Sequence, residues 1–131
     1  MRDIEFKAKE TFKNIWVYGY LCKNLLVGDY MISKTFEPWF IQRNTVCQYT
    51  GLIDKNGNKI YENDIVQYNG IKKGYIYFDK YRAAFMITDF ESEYFCCPII
   101  DVQHNGSLDI EVIGNIHDNV TKKKIFDENN T

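Results

Sequence analysis

At 131 residues, 45% of them hydrophobic and 16% aromatic, the chain can bury roughly two-thirds of its unfolded surface as one ordinary domain, which excludes a disordered segment. A formal net charge of −2 argues against a protein dedicated to the phosphate backbone, which calls for a basic excess. No apolar run approaches the roughly 18 residues of a membrane-spanning helix.

Along most of the chain the hydrophobic period is two rather than 3.6. Ile4, Phe6 and Ala8 alternate with Glu5 and Lys7, the pattern of a half-buried strand. Residues 14–22 continue it, with Ile15, Val17, Gly19 and Leu21 on one face and Trp16, Tyr18 and Tyr20 on the other. Lys23-Asn24 turns the chain into Leu25-Leu26-Val27, read as a strand that Gly28-Asp29 interrupts or bulges. A further run spans residues 40–49, so an N-terminal β-hairpin region is expected before the centre of the chain.

That centre is Asp54-Lys55-Asn56-Gly57-Asn58, a tight polar turn built on Asn-Gly that joins two β-type runs into a hairpin. Lys59-Ile60-Tyr61 is short and Asp64 to Tyr68 is the next strand. Between them Glu62-Asn63 calls for a turn or bulge, because asparagine tolerates the left-handed region better than most residues with a side chain. Asn69-Gly70 turns residues 71–79 antiparallel to the strand before, and residues 80–82 turn again into 83–88. Residues 89–102 fit a strand or a brief helix, ended in either case by Pro98. Asn105-Gly106 is one more turn, residues 110–117 form a closing strand, and the polar, lysine-rich end reads as a frayed tail over 121–131. The reading is a single all-β domain folded over about residues 2–120, a small barrel or sandwich with little helix.

Little in this pattern carries chemistry. Glu62 and Asp64, two residues apart, share a strand face and could bind a metal or work as an acid–base pair, but no third ligand sits at a convincing spacing, and Asp in such a place commonly caps a turn. His104, His117 and the four cysteines lack the spacings of a zinc site. Ser33, Ser92 and Ser107 lie in no nucleophile elbow, and no glycine loop is arranged to cradle phosphate. No metal, no cofactor and no catalytic residue is therefore assigned, and the expectation is a protein that is not an enzyme. Cys22, Cys47, Cys96 and Cys97 include an adjacent pair, and no leader is expected before the fold. Four reduced, mostly buried thiols in a cytoplasmic protein follow.

The stretch from Lys72 to Arg82 is the exception. Lys73, Tyr75 and Tyr77 share one face of a strand whose other face carries Ile76 and Phe78, natural core residues. With Arg82 they make a candidate binding face that a protein surface or a single-stranded nucleic acid could use, weighed against tyrosines that merely cover a curved sheet.

Residues 45–51, 54–57, 60–66 and the run Glu111-Val-Ile-Gly-Asn-Ile116 resemble the YopX-like family of phage and prophage proteins. Trp16 to Leu21 and Arg2 to Phe6 fit that family's N-terminal pattern as well. Asn63 stands where the family usually has Gly, and His117 where it often has Tyr. The resemblance implies a mainly β protein with an SH3-like barrel and brings no catalytic residues with it. The expected function is a non-catalytic protein-binding module of a phage or prophage, working in the cytoplasm of the bacterial host on another phage or host protein. The alternatives are a nucleic-acid-binding accessory protein and a hydrolase, with homo-oligomers open and no membrane partner.

Overall fold

Alternation becomes strand almost wherever it occurs. The structure, a computed structural model, describes residues 3–92 and 96–118. The described residues hold thirteen strands and two one-turn 3-10 segments, with no α-helix among them. The tail expected over 121–131 lies outside the described residues. The backbone groups into two compact units that divide between Gly51 and Leu52.

The first unit contains β1 (Phe6–Lys9), β2 (Trp16–Cys22), β3 (Tyr30–Ile32), β4 (Pro38–Phe40), a 3-10 turn at Arg43–Thr45, and the start of β5 (Cys47–Ile53). These strands run antiparallel in the order β4-β3-β2-β1-β5. The far end of the sheet curls back toward β1: Thr11 N–H donates to Phe40 O at 2.9 Å and Gln42 N–H to Lys9 O at 2.9 Å, around a bridge between Glu10 and Ile41. Ala8, Val17 and Met31 fill the inside.

Three expectations need correction in this unit. β1 is covered on both faces, not half-buried, because Lys7 and Lys9 are themselves buried. Each Nζ lies 4.7 Å from the centroid of the Trp16 ring, and their aliphatic stems pack as apolar groups do. Leu25-Leu26-Val27 is a turn instead of a strand. Asn24 Oδ1 accepts from Leu26 N–H at 2.8 Å and Val27 N–H at 3.1 Å, and Gly28 N–H donates to Asn24 O at 3.0 Å. The side-chain oxygen outcompetes strand pairing locally. The run over 40–49 is likewise broken by the 3-10 turn, where Thr45 Oγ1 accepts from Lys9 N–H at 2.8 Å and donates to Gln42 O at 2.6 Å.

The second unit continues with β6 (Lys59–Tyr61), β7 (Asp64–Tyr68), β8 (Lys72–Asp79), β9 (Ala84–Asp89), β10 (Cys96–Pro98), a 3-10 turn at Ile99–Asp101, the small pair β11 (Gln103–His104) and β12 (Ser107–Leu108), and β13 (Ile110–Asn115). Its main sheet has the antiparallel order β10-β9-β8-β7-β13. Ile60, Val66, Tyr68, Ile76, Ile87, Ile99, Val102 and Ile110 form the core. At Gly74 a Cβ would stand 2.2 Å from Thr88 O, so only glycine lets β8 and β9 approach this closely. Ile76 is a core residue as expected. Phe78 is not: it lies 46% exposed, its ring edge-on to Phe85 at 5.1 Å near the strand end. Both prolines sit in strands at sheet ends, β4 and β10, where a missing N–H costs no ladder bond. The described pairings close no barrel.

The Asn-Gly turn between β5 and β6 is organised by Asp54. Its Oδ1 accepts from Asn56 N–H at 2.9 Å and Asn58 N–H at 2.8 Å, while Oδ2 accepts from Val112 N–H of β13 at 2.9 Å. Gly57 supplies the positive φ, +86°, that the turn requires. Burial works against the Asp54 anion, yet these backbone donors prevail and hold its carboxyl below the ordinary 3.8. A depressed folded-state pKa means the stabilisation is complete above the unfolded value and is lost as pH falls through the folded one. Asp54→Asn should therefore cost about 2 kcal/mol at neutral pH, and the gap to wild type should close in urea melts as pH drops below 3.8. A gap that stays constant with pH would refute the ionic account.

Candidate functional site

The face named from the sequence is only partly open. Lys73, Tyr75 and Tyr77 do alternate on one side of β8, and the register sets Tyr75 between Ile65 of β7 and Thr88 of β9, with Tyr77 beside Met86. All three side chains are half-buried. The Tyr75 ring stacks on Phe90 at 5.8 Å between centroids and 30° between planes, and lies 6.4 Å from the Tyr77 ring. A hydrogen bond with Cys96, and then burial, raise the Tyr77 phenol above its ordinary pKa. Arg82 belongs to the turn that follows, where its Nη1 donates to Asp79 Oδ2 at 2.6 Å and its backbone N–H to Asp79 Oδ1 at 3.3 Å. The structure thus brings Lys73, Tyr75 and Tyr77 together and holds Arg82 by a charge of its own.

The Glu62–Asp64 pair is built into the fold. Asp64 is fully buried, its Oδ2 accepting from Tyr61 N–H at 2.8 Å and its Oδ1 from Asn115 Nδ2 at 2.9 Å. Asn115 Oδ1 accepts from His117 N–H at 3.0 Å. Asn63 takes φ +66°, as its place before Asp64 led one to expect. It donates its N–H to Ile76 O at 2.7 Å and accepts from Ile116 N–H at 2.9 Å. Its Nδ2 lies 3.3 Å from His117 Nε2, within hydrogen-bond distance. This corner ties β7, β8 and β13 together, and both oxygens of Asp64 are committed to it. Among the described residues, no three of His, Cys, Asp and Glu converge as metal ligands.

Further down the core face of the sheet, the Tyr68 hydroxyl donates to Asp89 Oδ2, and Asp89 Oδ1 accepts from Glu91 N–H at 2.8 Å. Burial first, then this bond, push the Tyr68 phenol well above its ordinary value, so it stays neutral at any physiological pH.

No disulfide joins the cysteines, all of which are described. Cys47 is buried, donating its Sγ–H to Thr45 O at 3.2 Å, and Cys22, Cys96 and Cys97 are half-buried. Cys96 pairs across from Thr88 and Cys97 from Ile87, so the adjacent thiols point to opposite faces of β10. Cys97 faces the core, and burial followed by the charges of Asp101 and Cys96 raises its pKa.

The sequence reading missed a second surface, on the first unit. A groove of about 640 Å³ is lined by Phe12, Leu25, Val27, Phe40 and Ile41, with Lys23 and Arg43 at its rim. Arg43 Nε lies 3.4 Å from Asp29 Oδ2. Phe12 is 83% exposed, Leu26 95%, and Leu25 stands wholly in solvent. Phe36, in the turn before β4, is 85% exposed and also holds φ +67°, a conformation that bulky residues avoid. A signal was present: three consecutive aliphatic residues between Asn24 and Gly28 are as compatible with an apolar turn as with a strand.

Residues 2–122 match the family model described as YopX protein. A solved structure, that of protein EF1440 from Enterococcus faecalis, is similar in fold, with a TM-score of 0.56 and 21% identity over 91% of this chain and 96% of that one. No curated protein matches.

Two outcomes test this geometry. Asn63→Gly should stay within about 1 kcal/mol of wild type, losing the His117 contact but relieving the positive φ, whereas Asn63→Val should cost about 2 kcal/mol or more. Equal stability of the two variants in thermal melts would show that φ at this corner carries no strain. With a thiol reagent at neutral pH and no reductant, Cys22 and Cys96 should react first, Cys97 more slowly, and Cys47 only on unfolding. Fast labelling of Cys47 would contradict its buried place.

Proposed function

The chain belongs to the YopX family, and on that premise we propose that it acts by binding another protein rather than by catalysing a reaction. The observation that carries this reading is the surface of the first unit. Phe12, Leu25, Leu26, Val27, Phe36 and Phe40 are all exposed, and Phe12, Leu25, Val27 and Phe40 of these line one groove, while the unit's buried hydrophobic residues are Ala8, Val17, Met31, Cys47 and Tyr49. Soluble proteins rarely leave so much contiguous apolar surface without a use, and protein interfaces are its commonest use. The partner is another phage or bacterial host protein, and Lys73, Tyr75, Tyr77 and Arg82 form a lesser, secondary face. The family resemblance supports three further parts of the reading: a phage or prophage origin, work in the bacterial cytoplasm, and a second unit that is an open relative of an SH3-like barrel. No described helix is long and apolar enough to cross a membrane.

A second reading has one observation in its favour. Tyr18 and Tyr20 of β2 are 49% and 52% exposed, and exposed rings on which successive bases stack are part of how single strands are held.

Affinity capture from host lysate separates these readings. Leu25→Asp should abolish recovery of a specific protein, and Tyr75→Ala/Tyr77→Ala should reduce it less. Recovery insensitive to Leu25→Asp would overturn the assignment to the first unit. Filter binding of single-stranded DNA with a steep salt slope would favour the second reading instead.

A further inference from the structure

We propose that the first unit docks a second copy of this chain, with Leu25 and Leu26 of each copy entering the groove of the other. The proposal rests on the protein-binding reading and names the occupant. The turn that carries Leu25 and Leu26 is held rigid by Asn24, whose Oδ1 and carbonyl oxygen accept three backbone N–H groups from Leu26, Val27 and Gly28. It therefore presents two aliphatic side chains to solvent at little cost in entropy on docking. The groove has the matching chemistry, walled by Phe12, Phe40 and Ile41 and, on the side of the turn, by Leu25 and Val27. A projection and a concavity of like chemistry, side by side on one surface, are what an isologous two-fold contact requires: what one copy inserts, the other receives, and the reverse.

Area and charge agree with this occupant. Phe12, Leu25, Leu26, Val27 and Phe40 together expose on the order of 700 Å² of apolar surface, close to the roughly 800 Å² per partner of a standard interface. The rim carries both signs, with Asp29 beside Arg43 and Lys23 near by, so a second copy meets no wall of like charge. A lipid surface would use the projecting turn but leave the groove without an occupant.

Sedimentation equilibrium on the full chain tests the proposal. Wild type should pass from monomer to dimer as concentration rises. Leu25→Asp, which replaces an aliphatic group of the projection by a charge, and Phe12→Asp, which puts a charge in the groove wall, should each raise the dimer dissociation constant at least about 30-fold with an unchanged circular dichroism spectrum. Both positions are exposed, so neither change threatens the fold. Mixing Phe12→Asp with Leu26→Asp, which alters the projection but not the lining of the groove, restores one intact projection-and-groove contact, so that mixture should dimerise more tightly than either variant alone. A wild type that stays monomeric throughout overturns the second-copy occupant; capture from lysate that is still lost in Leu25→Asp would then leave the protein-binding reading standing, and capture that is not lost would remove both. A dimer indifferent to Leu25→Asp overturns the placement, and a mixture no tighter than its components overturns the reciprocal geometry. A monomer that co-sediments with anionic phospholipid vesicles through Leu25 overturns the proposal in favour of a lipid surface.

Discussion

A single buried carboxylate organises the middle of this protein. Asp54 accepts three backbone N–H groups, two from its own turn and one from Val112, fifty-eight residues further on. The first two set the Asn-Gly turn between β5 and β6; the third, with Lys55 N–H donating to Ile110 O at 3.0 Å, fastens that turn to β13. Ile60 and Ile110 are thereby delivered to the same core. A carboxylate can do this because its oxygens offer about four acceptor sites and charge-assisted bonds offset its desolvation. Asp64 repeats the device at the other end of β13, through Tyr61 N–H and Asn115. Asp54 and Asp64, the two aspartates of the central family-like segments, are thus both engaged in folding.

The two units divide the remaining tasks unequally. The second holds the aliphatic core and the buried Tyr68–Asp89 pair. The first has a smaller interior and leaves Phe12, Leu25, Leu26, Phe36 and Phe40 exposed. Charge follows the same division. Residues 1–51 carry seven Lys and Arg against five Asp and Glu, and residues 52–131 carry nine against thirteen. The acidic excess of the second unit disfavours a polyanion on the β8 face. The first unit lacks that obstacle, so both readings of function converge on it.

Exposure is the quantity that separates the two tyrosine-bearing faces, and it is decided by neighbours. On β8, Tyr75 rests against Phe90 and Tyr77 against Cys96, so each ring spends part of its surface within the sheet. On β2, Tyr18 and Tyr20 keep about half of theirs in solvent. Both strands show the same aromatic alternation in sequence. What covers the β8 rings comes from β9 and β10, ten to twenty residues away, and no local pattern encodes it.

Local chemistry was sufficient for the elements whose conformation is settled within a few residues. The Asn-Gly turns at 56–57, 69–70 and 105–106, the positive φ of Asn63, and the strands β7, β8, β9 and β13 all follow from short-range backbone preference and period-two alternation, which need no distant partner. The failures share a cause. Leu25 to Val27 has the composition of a strand, but one Asn24 side chain satisfies its backbone and leaves three aliphatic residues in water. Lys7 and Lys9 have the polarity of a solvent face, but Trp16 gives them a place in the interior. Phe78 has the hydrophobicity of a core residue and lies beyond the reach of the core. Which face of a strand is covered, and whether an apolar turn meets a neighbour or solvent, depends on pairings made far along the chain. Only the tertiary structure determines those, because burial is a property of the assembled neighbours and not of the residue itself.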